Sequence, residues 1–395
     1  MHCLWLTWID PHPARDGQRI YSGGLIAALA GAGGRVDVLC RESAPACAEN
    51  PSGDEGMRWW RVSEAPNPSW ASAVSFLPNV AYRCNTAAMR QCLDRLLSDR
   101  RWDAIMLDGL YSGYALAPLI ARFRSSRDRP RLVYVSHNHE ESVRSGMAEN
   151  ARGGCLRKAV LHLDARKARR LERAMVDAAD IVTAITPDDA ARFSARRPDK
   201  RIVVLPPGYD GPKRERRRIT RSVPRRAVVM GTFDWLAKRM NLLEFLEIAD
   251  PLFARADAEL QIVGHGDPSF VGDMKRRFVN TSVIGAVPDI SPYLDDARIA
   301  IVPERTGGGF KLKALDYVFH RLPIAALDRS VAGTPLSSDD SILTFSSHRD
   351  LAEGAIGALD DLDLLNALQE RAYEACANRF DWESRGHQLL KVVAP

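Results

Sequence analysis

No apolar run in the sequence approaches the roughly 18–20 residues that a membrane-spanning helix needs. The seven cysteines (Cys3, Cys40, Cys47, Cys84, Cys92, Cys155 and Cys376) are odd in number and scattered, with no Cys-x-x-Cys pair. That spacing excludes a zinc knuckle and points to reduced thiols in a cytoplasmic protein, most of them small core residues. Met1-His2-Cys3-Leu4-Trp5-Leu6 has no basic stretch and no cleavage site, so no signal peptide is expected there. An excess of one charge is also lacking: 55 Lys and Arg oppose 50 Asp and Glu, a net of +5, and nothing overall calls for nucleic acid. No Asp-x-Asp pair follows an apolar run, and no His, Cys or Asp grouping has metal-ligand spacing, so no metal is expected. Asp188-Asp189 and Asp339-Asp340 are adjacent acids and read as a helix start and a turn. Gly264-His265-Gly266 lacks the third glycine of a dinucleotide fingerprint, which speaks against a nicotinamide dehydrogenase.

What is present is an ordinary globular balance, 46% hydrophobic and 27% charged over 395 residues, enough to bury two cores. Short β-branched runs alternate with segments of helical spacing, such as Leu242, Phe245, Leu246 and Ala249. One set of runs is Cys3–Trp8, Val36–Leu39, Ala104–Leu107, Leu132–Val135, Ile181–Ala184 and Ile202–Leu205. A second is Ala227–Met230, Leu260–Val263, Val283–Ile284, Ile299–Val302, Ile324–Leu327 and Ile342–Phe345. Strand and helix in alternation predict an α/β protein with two doubly wound parallel sheets. Between the sets lie Pro206-Pro207-Gly208 and Lys213 to Arg226, where eight basic residues face one acid, Glu215. That stretch reads as an exposed linker. The expected domains are residues 1–206, a basic linker 207–226, a second domain 227–375, and a C-terminal helical segment 376–395.

Ligands of doubly wound sheets bind beyond the carboxyl ends of the strands, where helix N-termini offer N–H groups to anions. The most informative strand end is Pro303-Glu304-Arg305-Thr306-Gly307-Gly308-Gly309-Phe310-Lys311-Leu312-Lys313-Ala314-Leu315-Asp316. Glycines allow a phosphate close to the backbone, and Lys311 and Lys313 bring positive charge for a diphosphate. Asp316 is placed to accept hydrogen bonds from a ribose diol. A Gly-rich turn leading into a solvated helix start is the plain alternative. Pro323-Ile324-Ala325 follows at a helix-plus-turn distance and favours the binding loop.

Gly307–Leu327 resembles the donor-binding segment of the glycosyltransferase group 1 superfamily, of GT-B type. Other segments match that family in order. Leu205-Pro206-Pro207-Gly208-Tyr209-Asp210 is similar to its interdomain segment, and Gly231 to Lys238 to its first phosphate loop. Val263-Gly264-His265-Gly266 and Gly285-Ala286-Val287-Pro288-Asp289 match two further loops. Gly17 stands where the family has a Gly-Gly, His137-Asn138-His139-Glu140 resembles its strand-end His-Asn-x-Glu, and Arg379-Phe380-Asp381-Trp382-Glu383 its closing Phe-x-Trp-Glu. The chain departs from the pattern as well. Gln18 replaces the second glycine, Lys311 replaces the usual Arg, and Gly308 stands eight before Asp316 where many relatives carry a glutamate. Glu304 lies twelve before Asp316 and cannot be carried over to that position.

The resemblance implies two Rossmann-like domains with a cleft between them, the C-terminal helix returning to the first. It implies a hexosyl transfer from a nucleotide-diphosphate sugar to a glycan, lipid-linked or small-molecule acceptor, within bacterial polysaccharide or glycoconjugate synthesis. Retention of configuration and independence of metal are expected, with no cofactor beyond the substrate nucleotide sugar. Implied donor-binding residues are Gly17, Gly231, Lys238, Gly264, Gly308, Gly309, Lys311, Lys313 and Asp316. His137 and Glu140 are the implied catalytic residues, with helix capping as the alternative for that segment. Arg157 to Arg173 is a second basic run with an apolar side. With Lys213–Arg226 it reads either as an anionic-membrane surface, placing the protein peripherally on the inner face, or as a solvated helix. Two other functions remain open at this point: a GT-B sugar-nucleotide epimerase, and a non-catalytic sugar-nucleotide-binding partner of a polysaccharide assembly complex.

Overall fold

The computed structural model describes residues 1–14, 16–42, 56–124, 126, 128–149, 151, 154–233, 236–305, 310–328, 330–338 and 340–394. Cys47 and Asp339 lie outside the described residues. The chain divides into two compact units, Met1–Gly208 with Asp381–Pro395, and Tyr209–Phe380.

The first unit runs β1 (His2–Ile9), α1 (Gly17–Gly31), β2 (Arg35–Arg41), β3 (Met57–Val62), a 3-10 turn (Ser69–Val74), α2 (Asn79–Cys84), α3 (Ala87–Asp99) and β4 (Ala104–Asp108). It continues with a second 3-10 turn (Leu110–Ala115), α4 (Leu116–Phe123), β5 (Arg131–Val135), α5 (Glu140–Glu149), α6 (Cys155–Ala178), β6 (Ile181–Ala184), α7 (Pro187–Arg196) and β7 (Arg201–Val204). Its seven strands are all parallel, in the order β3-β2-β1-β4-β5-β6-β7. Strand order reverses direction at β1/β4, which makes the carboxyl ends of these two strands the binding point of the sheet.

The central strands are apolar throughout because both faces are covered. Along β1, Leu4 and Leu6 join the core under α3, α4 and α6, while Cys3 and Trp5 are buried on the opposite side. Helix starts are marked by side-chain caps: Asp16 accepts from Arg19 N at 3.0 Å, and Thr186 accepts from Asp189 N at 3.1 Å ahead of Pro187. Asp188-Asp189 is thus a helix start, as its adjacency suggested.

The second unit runs β8 (Arg226–Met230), α8 (Leu236–Arg255), β9 (Glu259–Val263), α9 (Pro268–Arg277), β10 (Thr281–Gly285), α10 (Ser291–Asp295), β11 (Ile299–Val302), α11 (Leu312–Phe319), β12 (Ile324–Leu327), β13 (Leu343–Phe345), α12 (His348–Ala358) and α13 (Leu362–Cys376). Its six parallel strands are ordered β10-β9-β8-β11-β12-β13, with the reversal at β8/β11. Ala227 and Val229 enter one core, Val228 and Met230 the other.

The last helix, α14 (Trp382–Val393), packs in the first unit against α1. Gly386 makes this possible, since a Cβ there would collide with the Ala28 carbonyl. Arg385 Nε donates to Pro206 O at 3.0 Å and Gln388 Nε2 to Val204 O at 3.2 Å.

The basic stretch Lys213–Arg226 does not stand off as a loose linker. Arg217 donates to Asp295 O at 2.8 Å and Ala297 O at 2.6 Å, Arg225 pairs with Asp360 at 2.8 Å, and Arg226 pairs with Glu259 at 2.5 Å. Ile219 is buried in the second core. The guanidinium groups cap helix ends and strand neighbours, a use that a charge count alone does not reveal.

Candidate active site

In the first unit the site grows from the strand ends at the reversal. β4 ends on Asp108, which is fully buried, and β5 leads through Ser136 into His137. Oδ1 of Asp108 lies 2.5 Å from Nε2 of His137, and Oδ2 accepts from Trp5 Nε1 at 2.9 Å. Burial pushes the Asp108 carboxyl up, but His137, Trp5 and Ser22 outweigh it and hold it below the usual carboxylate range. An ionised carboxylate only accepts, so a ring proton sits on Nε2, and Nδ1 is the ring nitrogen that Asp108 leaves uncommitted. Tyr21 packs edge-on to His137, ring centroids 5.3 Å apart, and anchors its hydroxyl on Leu205 O at 2.7 Å. Tyr21 stands one turn after Gly17, the first residue of α1.

Glu140 begins α5, and its carboxylate is in an ion pair with Arg144 at 2.8 Å. Arg144 is held in turn by Asp164 at 3.1 Å. The α5 N-terminus rests on Glu172, whose two oxygens accept from Glu140 N at 2.9 Å and Glu141 N at 2.7 Å. Glu140 is thus committed to the scaffold that positions the His137 loop. His139 closes that loop locally, Nδ1 lying 2.7 Å from Ser142 Oγ.

In the second unit the residues converge on the end of β8. Gly231 N donates to Val263 O at 3.1 Å and Phe233 N to His265 O at 2.6 Å, so the loops after β8 and β9 are zipped together. Gly264 sits at φ 149°, and a Cβ there would run into the Gly231 carbonyl. That position is reserved for glycine by the backbone approach itself. Lys238 Nζ donates to Thr232 Oγ1 at 2.9 Å, which holds its ammonium on the same loop.

Lys313 reaches the carbonyl of Met230 at 3.3 Å and forms an ion pair with Glu304. Burial pushes the Glu304 carboxyl up, but Lys313 and Lys311 outweigh it and keep it low. The sequence reading had Lys313 pointing at a diphosphate; its ammonium is instead shared with an inward carboxylate. Lys311 is the N-cap residue of α11, and its side chain makes no capping bond. Asp316 lies one turn into α11, close to Tyr209, whose hydroxyl donates to Pro212 O at 3.3 Å. Burial pushes its carboxyl up to about 6. Gly307, Gly308 and Gly309 lie outside the described residues, as do Arg15, Asp234 and Trp235.

Among the expected residues, Gly231, Gly264, Lys238 and Lys313 lie around the end of β8, while Gly17 begins α1 and His137 follows β5 in the first unit. Asp108, Tyr21, Glu172 and Tyr209 were missed. Asp108 carried one signal, an acid closing an apolar strand. Among the described residues no group of His, Cys, Asp or Glu has an arrangement that could hold a metal ion.

Two doubly wound parallel sheets with strand-end sites at both reversals define the GT-B glycosyltransferase fold. The chain belongs to the glycosyltransferases on sequence: residues 16–208 match the glycosyl transferase 4-like domain and 224–361 the glycosyl transferases group 1 domain. No curated protein matches the sequence. Among solved structures, WaaG, a glycosyltransferase involved in lipopolysaccharide biosynthesis, aligns with TM-score 0.66 at 15% identity over 99% of both chains. Anabaena HepE in complex with UDP aligns with TM-score 0.62 at 13% identity over 100% of both. TarM aligns with TM-score 0.57 at 12% identity over 80% of this chain, which spans only 58% of TarM.

Proposed function

We propose that this glycosyltransferase moves a hexosyl group from a nucleotide-diphosphate sugar to a glycan, lipid-linked or small-molecule acceptor, with retention of configuration and without a metal ion. The setting is the making of a bacterial polysaccharide or glycoconjugate. The observation that carries the reading is the convergence of Gly231, Gly264, Lys238 and Lys313 on the end of β8, beside the N-terminus of α11. Backbone N–H groups, the Lys238 ammonium and a helix N-terminus at one strand end suit a diphosphate leaving group, with Lys313 tying the loop to Glu304. Asp316 then takes the ribose hydroxyls.

In the reaction the bond from the anomeric carbon to the phosphate oxygen breaks. The acceptor oxygen bonds to that carbon on the same face, and its proton passes to the departing phosphate. His137, fixed by Asp108, orients the sugar or the acceptor and does not take that proton. Glu140 has no part in the chemistry, because its carboxylate is spent on Arg144. HepE was solved with UDP and UDP-glucose, so UDP-sugars are the first donors to try. The test is incubation of purified protein with UDP-, GDP- and dTDP-sugars and candidate acceptors. Release of nucleoside diphosphate together with a glycosylated product supports the proposal. An epimerised nucleotide sugar, or tight donor binding with no turnover on any acceptor, counts against it.

A further inference from the structure

Six of the nine large apolar side chains that stand exposed among the described residues lie on two segments of the first unit. Trp70, Val74 and Phe76 belong to the Ser69–Val74 turn and the residues after it, and are 79%, 91% and 90% exposed. Leu156, Val160 and Leu163 are on the first half of α6, at 81%, 50% and 40%. Their spacing of four and three puts them on one stripe of the helix, and the next residue on that stripe is Lys167. Lys167 Nζ donates to Ser72 O at 2.9 Å and Ala73 O at 3.0 Å, and Asp164 accepts from Asn79 N at 2.6 Å. The turn is therefore pinned to α6 at the end of the apolar stripe, so the two exposed apolar segments adjoin at Lys167.

The exposed charge of α6 itself is positive over residues 155–173. Between Cys155 and Arg173 there are seven Lys and Arg and two acids, Asp164 and Glu172. Asp164 is spent on Asn79 and Arg144, and Glu172 is buried under α5. Arg157, Lys158, Arg166, Arg169 and Arg170 are exposed. The other basic run, Lys213–Arg226, has none of the exposed large apolar side chains beside it in sequence, so α6 is the run that combines the two.

We infer that the Trp70–Phe76 turn and the first half of α6 together form a docking surface for an anionic lipid bilayer, the turn entering the headgroup region and the arginines resting on the lipid charges. An indole and a phenyl ring on a short exposed turn, flanked by cations, match the apolar-to-polar gradient of a membrane interface. A protein groove would be matched by a helix stripe alone, without the exposed positive charge. The inference deepens the lipid-linked choice of acceptor in the proposed function. It is tested without donor or acceptor, so that its failure leaves the transfer reaction untouched.

The full chain is sedimented with vesicles of phosphatidylcholine, with and without about a third phosphatidylglycerol. Binding is expected to the anionic vesicles only, and to weaken in high salt. Trp70→Ser with Val74→Ser and Phe76→Ser should weaken it at least about tenfold, as should Arg157→Gln with Lys158→Gln and Arg166→Gln. Thermal melting in solution should be unchanged in both, showing that the fold is intact. Wild-type protein left in the supernatant overturns the inference. So does undiminished binding by either variant, or a concentration-dependent dimer that the Trp70 variant abolishes while vesicles remain unbound.

Discussion

His137 and Asp108 are a fixed pair: Nε2 of the ring lies 2.5 Å from Oδ1 of the carboxylate, and Trp5 holds the other oxygen at 2.9 Å. The ring can neither turn nor exchange its tautomer without breaking this contact. His137→Ala should lower turnover by about a hundredfold or more while nucleotide affinity stays within about twofold, because the nucleotide is assigned to the second unit. Asp108→Asn should lower turnover in the same direction with a smaller change, since the ring stays in place but loses its tautomer lock. Steady-state kinetics and nucleotide titration of both variants check this. Unchanged turnover in His137→Ala would remove the residue from the reaction.

The same pair gives a stability signature. Asp108 has its folded carboxyl held below its unfolded value, so its contribution is present above about pH 4 and is lost as pH falls through the folded pKa. Wild-type protein should lose thermal stability across that acid window more steeply than Asp108→Asn, as followed by melting curves at stepped pH.

Asp316 works in the opposite sense. Its carboxyl is raised to about 6, so it takes up a proton as pH falls through that value. A protonated carboxyl offers one acceptor oxygen fewer to a ribose diol. Uridine or guanosine should therefore bind more weakly at pH 5 than at pH 7, and Asp316→Asn should flatten that dependence. Nucleoside titration by calorimetry at the two pH values, each about one unit from the titration point, reads this out.

The two lysines of the α11 segment should separate. Lys311→Ala should cost about 1.5–3 kcal/mol of nucleoside-diphosphate affinity with little change in stability. Lys313→Ala leaves Glu304 without its ammonium in a largely buried place, and should also lower folding stability by about 3 kcal/mol or more. Denaturant unfolding beside diphosphate titration distinguishes the two effects.

Gly264 makes a purely steric prediction. Gly264→Ala puts a Cβ into the Gly231 carbonyl and asks an L-residue to hold φ 149°. Loss of about 2 kcal/mol or more is expected, seen as a lower melting temperature with nucleotide binding impaired in proportion.

Much of the fold was legible in the sequence because buried parallel strands leave short apolar runs that need no partner to recognise. All twelve such runs lie on strands, while β3 went unread. Its sequence, Met-Arg-Trp-Trp-Arg-Val, carries arginines and indoles at an edge position where only one side is covered. The strand-end loops around Gly231 and His137 were legible through glycine and histidine at places where backbone or ring must meet a ligand. Asp108 was not, because its role depends on β4 lying beside β5, a pairing that no local pattern encodes. Glu140 illustrates the reverse case. A motif match made it a catalytic candidate, and only the three-dimensional pairing with Arg144 shows where its charge goes. Within the basic stretch, Arg217 and Arg225 donate to carbonyls of their own unit, while Arg216, Arg218 and Arg221 stand exposed, and nothing in the local sequence distinguishes the two groups.

The central claim is transfer by front-face departure of the phosphate, and the anomeric configuration of the product tests it most directly. Purified protein is incubated with an α-linked nucleotide sugar and its acceptor, with EDTA present, and the anomeric proton coupling of the new glycoside is read by NMR before mutarotation or hydrolysis intervenes. The account predicts an α-linked product, formed at an undiminished rate in EDTA. A β-linked product would contradict it, and would make Nδ1 of His137 the base that deprotonates the acceptor.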